Sequence, residues 1–320
     1  MQMTHSSNTG CRVYQSVLPV PEELNFQTDK NYLFLLSDLA VISVIGGQAR
    51  DFLQGQLTCD MNRIDPNTMS PGAMCNLKGR ILALPHVLDW HGYKMILPND
   101  LIVDTIASLS KTAMLSRVVL EADRQLTVLG LRRTNDKDII PDFPLPLTSH
   151  AVTFSDQHCC YAIANDLFVI IADRTTGASL IQKYNEKQQL RGSLAWHHLQ
   201  LENHHVAIYP ETRGLFLPHR LDLPRLGYIS FDKGCYKGQE IIARTHYRAK
   251  LKHHLQTFII NATQPLMPGS KLLDADTNQE VGELVDYCAR DEHSFLIAAS
   301  ILIDHPQHIK IEGHHDIITL

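Results

Sequence analysis

The ten residues Phe231-Asp-Lys-Gly-Cys-Tyr-Lys-Gly-Gln-Glu240 gather a thiol, two ammonium groups, a phenol and a Gln-Glu pair, spaced by Gly234 and Gly238. Neither a helix interior nor a strand interior takes that mixture. Glycines allow tight or left-handed backbone, so the spacing predicts a loop that presents Cys235. Lys233, Lys237 and the N–H groups leading into the helical pattern from Gln239 to Arg244 would lower a thiol pKa, and a thiolate can act as nucleophile or redox group. The same pattern fits a turn between a strand ending at Tyr228–Phe231 and a helix, with Cys235 as a small filler and the lysines solvated. Spacing alone leaves both readings open.

The other chemistry the composition suggests is metal binding, from eighteen histidines. On a helix, His198, Glu202 and His205 would share one face, a geometry zinc can use. No Cys/His spacing typical of structural zinc accompanies them, and adjacent pairs such as His197-His198 and His253-His254 point different ways. Surface histidines and no metal site are therefore expected. A resident iron–sulfur cluster would need about four neighbouring thiolates, which Cys235 alone does not supply. The basic run Arg244–His254 reads as a solvated face, and direct tRNA binding is not expected.

The elements that must position these residues sit in a chain of 320 residues, 44% hydrophobic and 20% charged, which can form a buried core. A net charge of −5 excludes a protein that grips nucleic acid over its whole surface. Seven scattered cysteines, an odd number, point to free thiols in a reducing compartment. With no apolar leader and no run of roughly 18–20 apolar residues, a cytoplasmic protein without membrane spans is expected. Residues 1–30 read as a loose arm. Strands are predicted at Tyr32–Leu36, Ala40–Ile45, Ala73–Leu77, Ile81–Leu88, Tyr93–Leu97, Arg117–Ala122 and Leu126–Leu131, with helices over 48–56 and 100–114. After a connector at 133–150, strands and a helix over 177–189 repeat that order. From Gln256 onward, short evenly spaced strands predict a small antiparallel barrel. The fold class is α+β, with antiparallel sheets and no dinucleotide or P-loop signature.

K-G-C-Y-x-G-Q-E, at Lys233 to Glu240, resembles the signature of the YgfZ-type folate-binding proteins, a tRNA-modifying family related to the glycine-cleavage aminomethyltransferases. Phe52-Leu-Gln-Gly-Gln-Leu-Thr58, Leu217-Pro-His-Arg-Leu-Asp-Leu223, Ile229-Ser-Phe231, Ala243-Arg-Thr-His-Tyr-Arg248 and Lys250-Leu-Lys252 resemble further family segments, in the family's order. The resemblance implies a three-lobed, aminomethyltransferase-like body: a discontinuous α+β domain (31–56 and 127–254), an inserted α+β lobe (57–126) and a C-terminal β-barrel (255–320). It implies a central hole or cleft for tetrahydrofolate or another reduced folate. It further implies a role in maintaining iron–sulfur client enzymes, including those that thiolate tRNA. Cys235 and Lys233 become the reactive candidates, with Trp196, Glu202, Tyr236, Gln239, Glu240 and Arg244 as folate contacts.

A pterin presents a donor edge, its 2-amino group and N3–H, that a carboxylate accepts in fork geometry. Glu202 matches the family's pterin-binding glutamate, in Leu201-Glu-Asn-His204 where L-E-A-G is usual. Trp196 falls where YgfZ-type proteins carry a tryptophan linked to folate. Aminomethyltransferases place a catalytic aspartate after a glycine turn, and the matching stretch Gly79–Pro85 has Ala83 and Leu84 there. Hydrocarbon neither accepts a proton nor stabilises a developing cation, so classical aminomethyl transfer is not expected. A folate-dependent aminomethyl- or methyltransferase and a purely docking module are the alternatives. Two departures from the family pattern are Asp222 for asparagine and Ala249 for glycine.

Overall fold

A computed structural model describes residues 5–10, 12–138 and 141–320. The first four residues of the expected arm, Cys11 among the expected free thiols, and residues 139–140 of the expected connector lie outside the described residues.

The described part of the expected arm, from His5, is anchored, not loose. Strands β1 (His5–Thr9) and β2 (Arg12–Ser16) form a hairpin, followed by one helical turn, α1 (Val20–Glu23). Thr9 Oγ1 donates to the Tyr287 carbonyl at 3.1 Å, and Arg12 pairs with Asp100 at 2.7 Å. Buried Glu23 accepts N–H bonds from Val17 at 3.1 Å and Leu18 at 2.9 Å, and from Gly192. The polar composition that reads as an arm thus satisfies distant backbone and charge, which local pattern cannot reveal.

Next come β3 (Tyr32–Leu35), β4 (Leu39–Ile45), α2 (Ala49–Gln56), β5 (Ser70–Pro71), β6 (Met74–Cys75), β7 (Ile81–Ala83), β8 (His86–Asp89), β9 (Tyr93–Pro98), α3 (Ile102–Leu115) and β10 (Val119–Asp123). Five of these strands form one sheet in the order β10-β4-β9-β8-β5. β4 therefore pairs within the expected inserted lobe, not with β3, and the division expected at 56/57 falls between β3 and β4. Strand periodicity fixes which side chains turn inward, but does not name the partner strand.

A second sheet uses β11 (Leu126–Arg132), β12 (Val152–Phe154), β13 (His158–Ala162), β14 (Leu167–Asp173) and, after helix α4 (Arg174–Glu186), β15 (Leu190–Arg191). Its order is β12-β13-β14-β11-β3-β15, with only β15 and β3 parallel. Helix α5 (Ser193–Glu202) is buried from Ser193 through Leu199 and again at Leu201, all round its circumference. It packs on β2, β3 and the C-terminal sheet. Gly130 on β11 is bare where the Trp196 indole lies; a Cβ there would stand 2.6 Å from Cε3.

After helix α6 (Gln239–Arg248), the chain ends in β16 (His253–Asn261), β17 (Lys271–Asp274), β18 (Glu280–Ala289), β19 (Ser294–Leu302), β20 (His308–Ile311) and β21 (Ile317–Thr319). The order β16-β19-β18-β17-β20-β21 leaves β16 and β21 as edges. The expected barrel is thus a half-barrel curled over Leu272, Ile297, Ile301 and Ile309. No helix among the described residues is long and apolar enough to cross a membrane.

Because the indole occupies the space beside Gly130, Gly130→Ala is expected to destabilise the protein by about 2 kcal/mol through overpacking. Urea unfolding followed by circular dichroism measures it.

Candidate functional site

The loop that carries Cys235 is fastened from both sides. Lys233 Nζ donates to the backbone carbonyls of Gln54, Leu57 and Cys59, each at 2.7 Å. The Lys237 N–H adds a bond to the Gly55 carbonyl at 3.0 Å. These acceptors lie at the C-terminal end of α2, where helix carbonyls lack intrahelical partners and the helix dipole favours a cation. Lys233 Nζ also stands 5.1 Å from the centroid of the buried Tyr236 ring. Upstream, Thr58 Oγ1 donates to the Tyr228 carbonyl at 2.6 Å, and the Ser230 N–H to the Thr58 carbonyl at 2.9 Å. The segments Phe52–Thr58 and Lys233–Glu240 are therefore two halves of one structural unit.

Tyr228–Phe231 is irregular rather than the end of a strand, since its backbone bonds go to Thr58 and not to a ladder. Gly238 is the glycine the loop requires: φ is 86°, and a Cβ would lie 2.5 Å from the Asn76 carbonyl oxygen. Gly234 has open space around it. Between the buried anchors Lys233 and Tyr236, Cys235 is exposed, whereas the other described cysteines are buried. Burial pushes the Cys59 thiol up to about 11 and the Cys75 thiol up to about 12. Lys233 differs from its sequence reading. Burial, partly opposed by Cys59 and Asp60, brings its pKa down to about 8, yet its three N–H donors are all taken by carbonyls. It holds the loop and is not free to serve Cys235 in acid–base work.

The remaining nominated residues do not converge. Trp196 lies in the core against Phe34, centroids 5.3 Å apart, and its Nε1 has no hydrogen-bond partner. Glu202 ends α5 with a side chain 52% exposed, its carboxylate 3.7 Å from His198 Nδ1. Burial raises its pKa, against Arg132 and Arg290. Gln239 Oε1 lies 3.4 Å from the Tyr236 N–H. Glu240 and Arg244 line a groove on the outer face of α6 with Tyr247 and Arg248. Asp222 takes a left-handed conformation, φ 51°, and accepts the Leu255 N–H at 3.2 Å. Ala249, at φ −92° and ψ 140°, needs no glycine. Among the described residues, no group of three or more metal-ligating side chains comes together.

A cavity of about 60 Å³ lies where β2, the start of β4, β8, β9 and the end of α5 meet. Its walls include Arg12, Asp38, Leu84, His86, Gln200 and His205, and none of Phe231–Glu240. This cavity sits apart from the thiol loop, which Lys233 Nζ and the Lys237 N–H fasten to the end of α2. The volume holds about two water molecules, so a bicyclic ring enters only if the walls move apart. Asp38 Oδ1 is shielded from solvent and has no hydrogen-bond partner; burial raises its pKa to about 6 despite nearby Arg12. Burial also drives His86 down to about 3 and His205 down to about 4, so both imidazoles are neutral. Behind the cavity, Tyr14 Oη meets Tyr209 Oη at 3.2 Å, Tyr209 donates to Asp286, and His197 Nε2 is 3.1 Å from Asp286 Oδ1. Sequence reasoning missed Arg12, Asp38 and His86. The one signal was Ser37-Asp38, polar between two apolar runs, which reads as an ordinary turn.

The fold is that of an aminomethyltransferase. Glycine cleavage system aminomethyltransferase T from Bartonella henselae matches with a TM-score of 0.71 over 95% of this chain and 89% of that one, at 14% identity. No protein-family model matches the chain. Curated homologues are named tRNA-modifying protein YgfZ. That of Hamiltonella defensa is 29% identical over 249 residues, 76% of this chain and 74% of the homologue. That of Sodalis glossinidius is 27% identical over 293 residues, 89% of each. The likeness to YgfZ-named proteins and to the aminomethyltransferase fold is thereby shown.

Two outcomes follow from this geometry. Lys233→Met strands the carbonyls of Gln54, Leu57 and Cys59 and is expected to cost about 3 kcal/mol, while Cys235→Ser stays within about 0.5 kcal/mol; denaturant melts compare them. Burial depresses His86 to about 3 and His198, His205 and His219 to about 4, so the unfolded chain binds more protons than the folded one below about 6.5. Stability is therefore expected to fall by several kcal/mol between pH 6.5 and pH 4, with Asp38, raised to about 6, offsetting part of the loss. Urea midpoints across that range check the sign.

Proposed function

We propose that this protein is a folate-binding accessory factor that supports the maintenance of iron–sulfur enzymes and, through them, tRNA modification. The carrying observation is the cavity, in a body with the aminomethyltransferase fold, whose wall at Leu84 is hydrocarbon where the motif resemblance to the aminomethyltransferases would place an acid. Such a site takes a reduced pterin between apolar walls only once those walls part, and offers no carboxylate at Leu84 for aminomethyl transfer. The name of its homologues, tRNA-modifying protein, supports the biological half of the reading.

Cys235 has a separate task in this scheme. Exposed on a loop that the three carbonyl bonds of Lys233 hold still, it faces outward, toward a client protein rather than the cavity. The ligand inside and the thiol outside then report on one another only through the packing between them. An aminomethyltransferase is the second reading, and the apolar wall at Leu84 counts against it.

Isothermal titration calorimetry with tetrahydrofolate is expected to give saturable one-site binding in the micromolar to millimolar range, with no turnover of aminomethyl donors in a coupled assay. In cells, Cys235→Ser should lower iron–sulfur enzyme activity while the purified variant binds folate normally. Absence of saturable binding, or steady aminomethyl transfer by the wild type, contradicts the proposal.

A further inference from the structure

We infer that Asp38, rather than Glu202, is the carboxylate that recognises the ligand of the central cavity, and that it does so through a two-donor edge, an amino group beside a ring N–H. That edge is the mark of a 2-amino-4-oxopyrimidine, so the inference rests on the folate reading and specifies how the pterin is held.

Asp38 lies on the cavity wall, and its Oδ1 is closed off from solvent without a hydrogen-bond partner. A buried acceptor left in that state is costly, so the site is incomplete without a donor. The nearest strong donor does not fill the role. Arg12 directs Nε and Nη2 to Asp100 at 2.9 Å and 2.7 Å, Nη2 again to the Ile208 carbonyl at 2.7 Å, and Nη1 to Tyr14 Oη at 3.4 Å. Its positive charge keeps Asp38 ionised at neutral pH against burial, and also disfavours a cationic ligand beside it. A neutral heterocycle offering two parallel N–H groups meets both conditions. Leu39, Leu84 and Ile96 supply apolar wall for its ring faces, and Gln200 can take a further polar group.

Glu202 has nearby cations, Arg132 and Arg290, but not the enclosure. Its side chain is 52% exposed at the end of α5, it faces His198, and it is not part of the cavity wall.

Calorimetry with tetrahydrofolate on wild type, D38N and E202Q tests the assignment. D38N keeps the shape but turns an amide N–H₂ toward the ligand's donors. It is expected to weaken binding by about 30-fold or more, with E202Q within about 3-fold of wild type. D38N should melt close to or above the wild-type temperature, because it removes a carboxylate that burial disfavours and whose Oδ1 makes no hydrogen bond. A second arm needs no variant: wild type should bind 2-desaminotetrahydrofolate as poorly as D38N binds tetrahydrofolate. If D38N and the desamino ligand both keep wild-type affinity, Asp38 is not the recognition group and the folate reading stands. If wild type takes up no tetrahydrofolate, the folate reading itself fails and the inference with it.

Discussion

One ammonium group organises the chemically unusual part of this molecule. Lys233 reaches the end of α2 and donates to the carbonyls of Gln54, Leu57 and Cys59. A helix C-terminus that is buried must have its carbonyls satisfied, and a cation there also meets the favourable end of the helix dipole. With Lys233 fixed and Tyr236 sunk beside it, the intervening backbone cannot turn Cys235 inward. The exposed thiol is thus a consequence of its two neighbours being buried, and the glycines serve that arrangement. Gly238 does so directly, since only a residue without a side chain lets the loop approach Asn76 so closely.

The interior follows a different rule. Helix α5 carries two histidines, a serine and a tryptophan into a region with almost no solvent; Ser193 and His197 find partners, whereas Trp196 Nε1 and the ring nitrogens of His198 make no hydrogen bond. His197 is held through Asp286 and by stacking on Tyr14, ring centroids 4.1 Å apart. Arg12 is neutralised by Asp100, and Tyr209 bonds to Asp286. Asp38 Oδ1 is also without a hydrogen-bond partner, and among the unpartnered side chains Asp38 is the carboxylate that belongs to the wall of the small cavity. An unpartnered acceptor beside a cavity is a place where a ligand's donor can be received.

Most of the elements were legible in the sequence because each rests on local pattern: the continuous apolar run of β14 and the amphipathic run of α3 are examples. What was not legible depends on partners far along the chain. The pairing of β4 with β9 and β10 moves a lobe boundary, and nothing in the residues Leu39–Ile45 names those partners. The N-terminal hairpin looks like a polar arm until Arg12 meets Asp100 and Thr9 meets the Tyr287 carbonyl. Within the site, residue types are legible in the sequence but their contacts are not. A lysine two positions from a cysteine suggests electrostatic activation, and only the fold reveals that its donors belong to α2. Trp196 and Glu202 came from a family likeness, which transfers position in the sequence but not orientation in space. Asp38 carried no motif at all.

The account reduces to the claim that a reduced folate occupies the central cavity with its pterin edge on Asp38 and the thiol of Cys235 outside that pocket. A crystal structure of the tetrahydrofolate complex tests this most directly. The account predicts that the walls around Leu84 have parted to admit the ring, that the 2-amino group and N3–H lie within hydrogen-bond distance of the Asp38 carboxylate, and that the loop at Lys233 is unmoved. Folate density along Glu202, or in the groove on the outer face of α6, with the central cavity unchanged, would contradict it.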